Sequence, residues 1–129
     1  MMQTMTQQPA PAQSEQPEGA LSQMEVLIRL HVGAIDFLNK SMTACDEGNI
    51  DDFKGLLERS RKIIEEFQRT LDFKRGGQIS THLNSLYEFM LSSLSQAELT
   101  HDTLFIQRVV RQLETLLDGW RGAQLSANA

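Results

Sequence analysis

After Pro17 the chain contains no proline, so the remaining 112 residues lack the one residue that breaks a helix interior. There is a single cysteine, Cys45, and therefore no internal disulfide. No apolar run approaches the ~18 residues that a membrane-crossing helix needs, which argues against membrane insertion. The first basic residue is Arg29, so the chain opens without the charged region of a secretory signal. These absences predict a cytoplasmic protein in a reducing compartment. A period-2 apolar pattern is also missing, which leaves no strand to compete with helix.

Catalytic groupings are missing too. Glu98 and His101 form one Glu-x-x-His, whereas a di-iron bundle needs two of them and two further inward glutamates. The three histidines have no His-x-x-x-His spacing for zinc. Gly76-Gly77 follows no strand and so cannot open a dinucleotide or phosphate loop. A phosphotransfer bundle normally places a lysine and a glycine just after its histidine. Here Val-Gly-Ala follows His31 and Leu-Asn-Ser follows His82, so both are expected to be helix-face or interhelix hydrogen-bonding residues. The expectation is no enzyme, no catalytic residue, no metal and no cofactor.

Net charge is −5, and six of the twelve basic residues lie between Arg59 and Arg75, among Glu58, Glu65, Glu66 and Asp72. That is a mixed, solvated face rather than a phosphate-binding stripe, which argues against nucleic acid. Cys45 falls on the apolar face of its helix and is expected to be an inert core thiol.

What is present is helix. Residues 1–20 hold all three prolines and no aromatic side chain, and they read as a disordered N-terminal tail. A single domain is expected over 21–122, with a short flexible tail over 123–129. Ser22 and Glu25 form a capping box for a first helix that Gly48 ends. Asn49 caps a second, whose last core residue is Leu71. A third runs from about Gln78 to Glu98 on Ile79, Leu83, Leu86, Tyr87, Met90, Leu94 and Ala97. Asp102 caps a fourth that Trp120 closes. Connections of four to six residues make neighbours antiparallel, so the fold class is all-α, an up-down-up-down four-helix bundle.

Two helices have surfaces that a single core does not explain. The first spreads its apolar residues over roughly 200°, with Ile28, Val32 and Ile35 at one edge and Phe37 also in the arc. The third has one charged residue, Glu88, between Arg75 and Glu98. Its outward face is Ser80, Thr81, Asn84, Ser85, Ser92, Ser95 and Gln96, and Phe89 stands off the main stripe beside Ser85, Ser92, Ser93 and Gln96. Ile28, Val32, Ile35, Phe37 and Phe89 are the candidate binding residues, on the view that these faces are covered by another chain. A bundle that dimerises through the same apolar excess is the alternative.

Leu71-Asp72-Phe73, Lys74-Arg75 and Gly76-Gly77, followed by Leu83-Asn-Ser-Leu86-Tyr87-Glu-Phe89-Met90, resemble the signature of the FliS family of flagellin-binding export chaperones. Gly33-Ala34-Ile35, Phe37-Leu38, Glu47-Gly48 and Trp120 support the match over about residues 22 to 120. Turn chemistry alone accounts for the two glycines. In the same view Phe73 folds back over the bundle end, and Lys74-Arg75 sit at a helix C-terminus. The resemblance implies a cytoplasmic chaperone whose partner is the C-terminal segment of flagellin, held on the outside of the bundle until export. It also implies the flagellar export gate as a further partner. Members usually carry N-terminal tyrosines, a proline where Gln23 stands and Tyr-Asp where His31-Val32 stand. A divergent relative with another secreted client is the nearest variant of this reading.

Overall fold

Ser22 opens the first helix as the sequence predicts. Its hydroxyl accepts the Glu25 amide at 3.1 Å, and the Glu25 carboxylate accepts the Ser22 amide at 2.9 Å. The computed structural model describes residues 21–128, and the tail expected over 1–20 lies outside them. Helix α1 (Gln23–Asp46) ends where Gly48 turns to φ 75. There the Gly48 amide donates to Cys45 at 3.0 Å and the Asn49 amide to Ala44 at 2.8 Å, the paired bonds of a Schellman stop. The Asn49 side chain then accepts the Asp52 amide and caps α2 (Ile50–Arg69).

Helix α2 stops at Arg69, so Leu71 is not its last residue. Leu71 instead packs against the core from the connecting segment. Asp72 caps a separate single turn, α3 (Phe73–Gly76), by accepting the Lys74 and Arg75 amides at 3.1 Å each. Lys74 and Arg75 thus lie in the last turn of α3, not of α2. Gly77 follows at φ 50 and leads into α4 (Gln78–Thr100). His101 ends α4 in the left-handed region at φ 58, with its amide donating to Ala97 at 2.8 Å. The Asp102 carboxylate accepts the Leu104 amide at 3.0 Å as α5 (Leu104–Asn128) begins.

Residues 123–128 continue α5 as helix, where the sequence predicted a tail beginning at 123. Ala, Gln and Leu there are good helix formers. The start of α1 also lies alongside, since Ser22, Met24 and Glu25 share a cleft with Gln124 and Ala127.

Among the described residues all regular structure is helical. The four long helices touch in a ring, α1 on α2, α2 on α4, α4 on α5 and α5 on α1, while α3 rests on α4. Their inward faces supply one core that includes Leu38, Phe53, Leu57, Ile64, Tyr87, Met90, Leu94, Ile106 and Leu113. Four serines are buried among them, including Ser80, which the sequence placed on an outward face, and Ser93, which it placed beside Phe89. A hydroxyl is small enough to turn back on its own helix. Ser41 donates to Leu38 at 2.7 Å and Ser60 to Leu56 at 3.1 Å, which removes the cost of burying them.

Ile79 corrects the core expected for α4: it is 69% exposed. Gln68, in the last turn of α2, already meets Asn84 at 3.2 Å and Glu88 at 2.6 Å. The first turn of α4 therefore projects past the end of α2. The single turn α3 rests on it and covers Ser80, whose hydroxyl donates to the Asp72 carbonyl at 2.9 Å, but leaves Ile79 in water.

Candidate binding surface

The overwide apolar arc of α1 is only partly covered. Val32 is 43% exposed on one edge and Val26 41% on the other. Ile28, Ile35 and Phe37 are half-buried, and of these only Ile35 packs against the core. At 100° per residue Ile28, Val32 and Ile35 share the edge toward α5. Phe37 lies on the opposite edge toward α2, with the Arg59 guanidinium 5.7 Å from its ring centre. Phe89 is 48% exposed on α4, which is not a ring neighbour of α1. The five candidates therefore occupy three separate strips. No single rigid ligand face reaches them all, whereas a chain that wraps around the helices does.

A feature that sequence reasoning missed lies between α1 and α2. A cleft of about 450 Å³ is lined by Leu21, Val26, Leu27, Leu30 and Phe67, with Glu66 at its rim. Val26 and Leu30 were legible as part of the wide arc, but Phe67 reads from its spacing as plain core. Arg69 holds the Glu66 carboxylate below the ordinary carboxylate range through a hydrogen-bonded ion pair. The cleft mouth thus carries a compensated charge rather than a free one.

Beneath this cleft sits a buried histidine. His31 stacks on Phe67 with ring centres 4.2 Å apart. Its Nδ1 is 2.9 Å from the Leu27 carbonyl, which can only accept, and Trp120 Nε1, which can only donate, lies 3.3 Å from Nε2. Those two partners fix the neutral tautomer with the proton on Nδ1. Burial pushes the pKa of His31 below its usual value. Trp120, expected at the close of the last helix, instead links the middle of α5 to α1.

The motif residues divide. Tyr87 and Met90 are buried, and burial raises the Tyr87 phenol to about 12. Leu86 is half-buried beside them. Phe73 opens α3, is 51% exposed and does not fold over the helix ends. The two glycines have different causes. Gly77 needs its positive φ, whereas a Cβ on Gly76 would lie 1.9 Å from Ser80 Oγ.

Cys45 is half-buried, with its thiol 3.6 Å from the His101 carbonyl and its pKa raised by burial and by Asp46. A thiol held protonated is a poor nucleophile. Among the described residues no group of three or more His, Cys, Asp or Glu side chains is placed to hold a metal. No helix there is long and apolar enough to cross a membrane.

The model of the flagellar protein FliS family matches residues 5–127, nearly the whole chain. The chain belongs to the FliS family. A flagellar secretion chaperone FliS of Campylobacter jejuni is 27% identical over 110 residues, which cover 85% of this chain and 86% of that protein. The Salmonella typhimurium protein of the same name is 28% identical across 81% of this chain and 77% of its own length. Flagellar secretion chaperone FliSB of Pseudomonas aeruginosa is 29% identical across 70% of this chain and 71% of its own length. Each match spans more than two thirds of both chains. FliS membership therefore covers the helical domain as a whole and not only the 71–90 block.

Proposed function

We propose that this FliS-family chain is a cytoplasmic flagellar secretion chaperone that binds the C-terminal segment of flagellin. It holds that segment out of premature filament assembly and delivers it for secretion. The observation that carries the reading is the distribution of exposed apolar side chains. Val26, Val32 and Phe89 stand on three different strips, as a wrapped, extended partner requires. Surfaces that stay in water are normally kept charged, and the one around Phe89 is not, since its exposed neighbours are Ser85 and Ser92.

The architecture that presents those strips is an antiparallel up-down-up-down four-helix bundle of α1, α2, α4 and α5. The ring of contacts supports it. So does the pairing along α2 and α4, where Gln68 meets Asn84 and Arg61 meets Ser95, with numbers rising on one helix as they fall on the other. The same holds for α1 and the chain that enters α5, where Cys45 meets His101 just before α5 begins and His31 meets Trp120 within it. A segment that folds on binding can lay short amphipathic helices into the clefts between such neighbours.

Sedimentation of the chain with and without the cognate flagellin C-terminal segment tests the reading. The expected result is a stoichiometric complex, together with suppressed filament growth when full-length flagellin is mixed with the chain. A concentration-dependent dimer indifferent to the segment would replace the chaperone reading with a dimerisation module.

A further inference from the structure

The corner at Asp72–Ser80 contains more construction than a chain reversal needs. The Asp72 carboxylate caps α3, and the Asp72 carbonyl accepts the Ser80 hydroxyl at 2.9 Å. Gly76 leaves room for that hydroxyl, and Gly77 supplies the positive φ. The product of this build is not burial, since Phe73 and Ile79 both end up facing water.

Along α4, Ile79, His82, Leu86 and Phe89 follow at i, i+3, i+7 and i+10, the repeat of one helix face. Ser85 and Ser92, exposed beside them, carry no charge. Glu88 is turned toward α2, where its carboxylate accepts Gln68 Nε2 at 2.6 Å. At the start of this strip stand Lys74 and Arg75, both exposed. The nearest carboxylate to Arg75 is Asp72 at 3.8 Å, and Asp72 is already engaged by two amides. In a chain of net charge −5, a strip with two cations at one end and no free carboxylate complements an apolar helix with an acidic tip.

We infer that this exposed edge of α4, which borders its core stripe, docks an amphipathic helix that carries acidic residues at one end. Its apolar positions lie over Ile79, Leu86 and Phe89, and its carboxylates lie against Lys74 and Arg75. The inference rests on the proposed role of Phe89 and adds the polarity of the partner. An apolar stripe alone lets a helix bind in either direction, whereas charge at one end selects one.

Titration of the full chain with the cognate flagellin C-terminal segment, at low and at high salt, tests it. Lys74→Glu with Arg75→Glu should weaken binding about tenfold at low salt and much less at high salt, because rim charges are screened. Ile79→Ser should weaken it at both. Both cations are exposed, so melting should be unchanged; should the reversal destabilise, Lys74→Gln with Arg75→Gln reads the same salt-dependent loss. A segment whose acidic residues at one end are changed to lysine should bind the reversed chain better than the native one. If Phe89→Ala weakens binding and the charge reversal does not at low salt, the corner is outside the site. That result overturns the inference and leaves the chaperone reading standing. If neither weakens binding, the segment docks elsewhere and the inference falls; only a chain that does not bind the segment at all overturns the chaperone reading. A dimer of the chain alone that the reversal dissociates would make a second copy the occupant, which also overturns the inference.

Discussion

Helices α2 and α4 lie side by side and each buries an inward face in the common core, yet they differ outside. Ten of the 20 residues of α2 are charged, against two of the 23 in α4. Both charges of α4 are turned toward α2, Glu88 to Gln68 and Glu98 to Arg61 at 3.7 Å. What remains exposed on α4 is uncharged: serine, threonine, glutamine, His82 and the apolar Ile79, Phe89 and Leu99. Stability accounts for the inward faces of both helices. It does not account for the bare outer face of α4, because a charged one would fold as well and aggregate less. The contrast separates residues that hold the fold from residues that folding does not explain.

The largest expected effect lies on the inward side of that contrast. Leu57 is fully buried, and Leu57→Ala should lower unfolding free energy by about 2–5 kcal/mol in a denaturant titration. Phe89→Ala should stay within about 0.5 kcal/mol in the same titration, since its ring is half in water. Equal losses would erase the distinction between the two faces.

The corner between the two helices should respond next. Gly77→Val forces a β-branched residue to φ 50 and should cost at least about 1–2 kcal/mol. Gly76→Ala should cost about 1–2 kcal/mol by a different route, by driving Ser80 Oγ off the Asp72 carbonyl. A double-mutant cycle with Ser80→Ala should therefore show coupling for Gly76→Ala and none for Gly77→Val.

A smaller effect, and a pH-dependent one, comes from His31. The unfolded chain takes up a proton at His31 as pH falls through 6.5, while the folded chain still resists it. Stability from the buried neutral ring is complete above 6.5. It is lost as pH falls toward the lower folded pKa, at up to about 1.4 kcal/mol per pH unit. Protonation would also place an N–H on Nε2 against the Trp120 N–H. His31→Gln should flatten the slope between pH 7.5 and 5.5; an unchanged slope would assign it to other groups.

Much of the fold was legible because its signals are local. Ser22 and Glu25, Asn49, Gly48 and Asp102 each act within a few residues, and each appears in the structure where the sequence puts it. The exposed Val32 and Phe89 were legible for a related reason, since helical angle alone places them off the core stripe. The misses depend on neighbours. Ile79 has the right spacing for core, but α2 ends too early to cover it. Leu71 fits the period of α2, yet Thr70 ends that helix before it. Gly76 reads as a turn residue, whereas its cause is a hydroxyl four residues on. The α1–α2 cleft and the His31–Trp120 bond join residues far apart in the chain, 89 positions in the second case, and no spacing rule spans that distance. Phe37 was grouped with Ile28, Val32 and Ile35 because one helix arc holds all four. The helical angle already puts Phe37 at the far edge of that arc, and the positions of α2 and α5 show which neighbour each edge faces.

The most direct test of the central claim, that the outer face of α4 exists to be covered, measures binding and melting on one variant. Phe89→Ala should bind the cognate flagellin C-terminal segment about 1–3 kcal/mol more weakly while melting with the native chain. A Phe89→Ala protein that binds the segment normally but melts early would contradict the account.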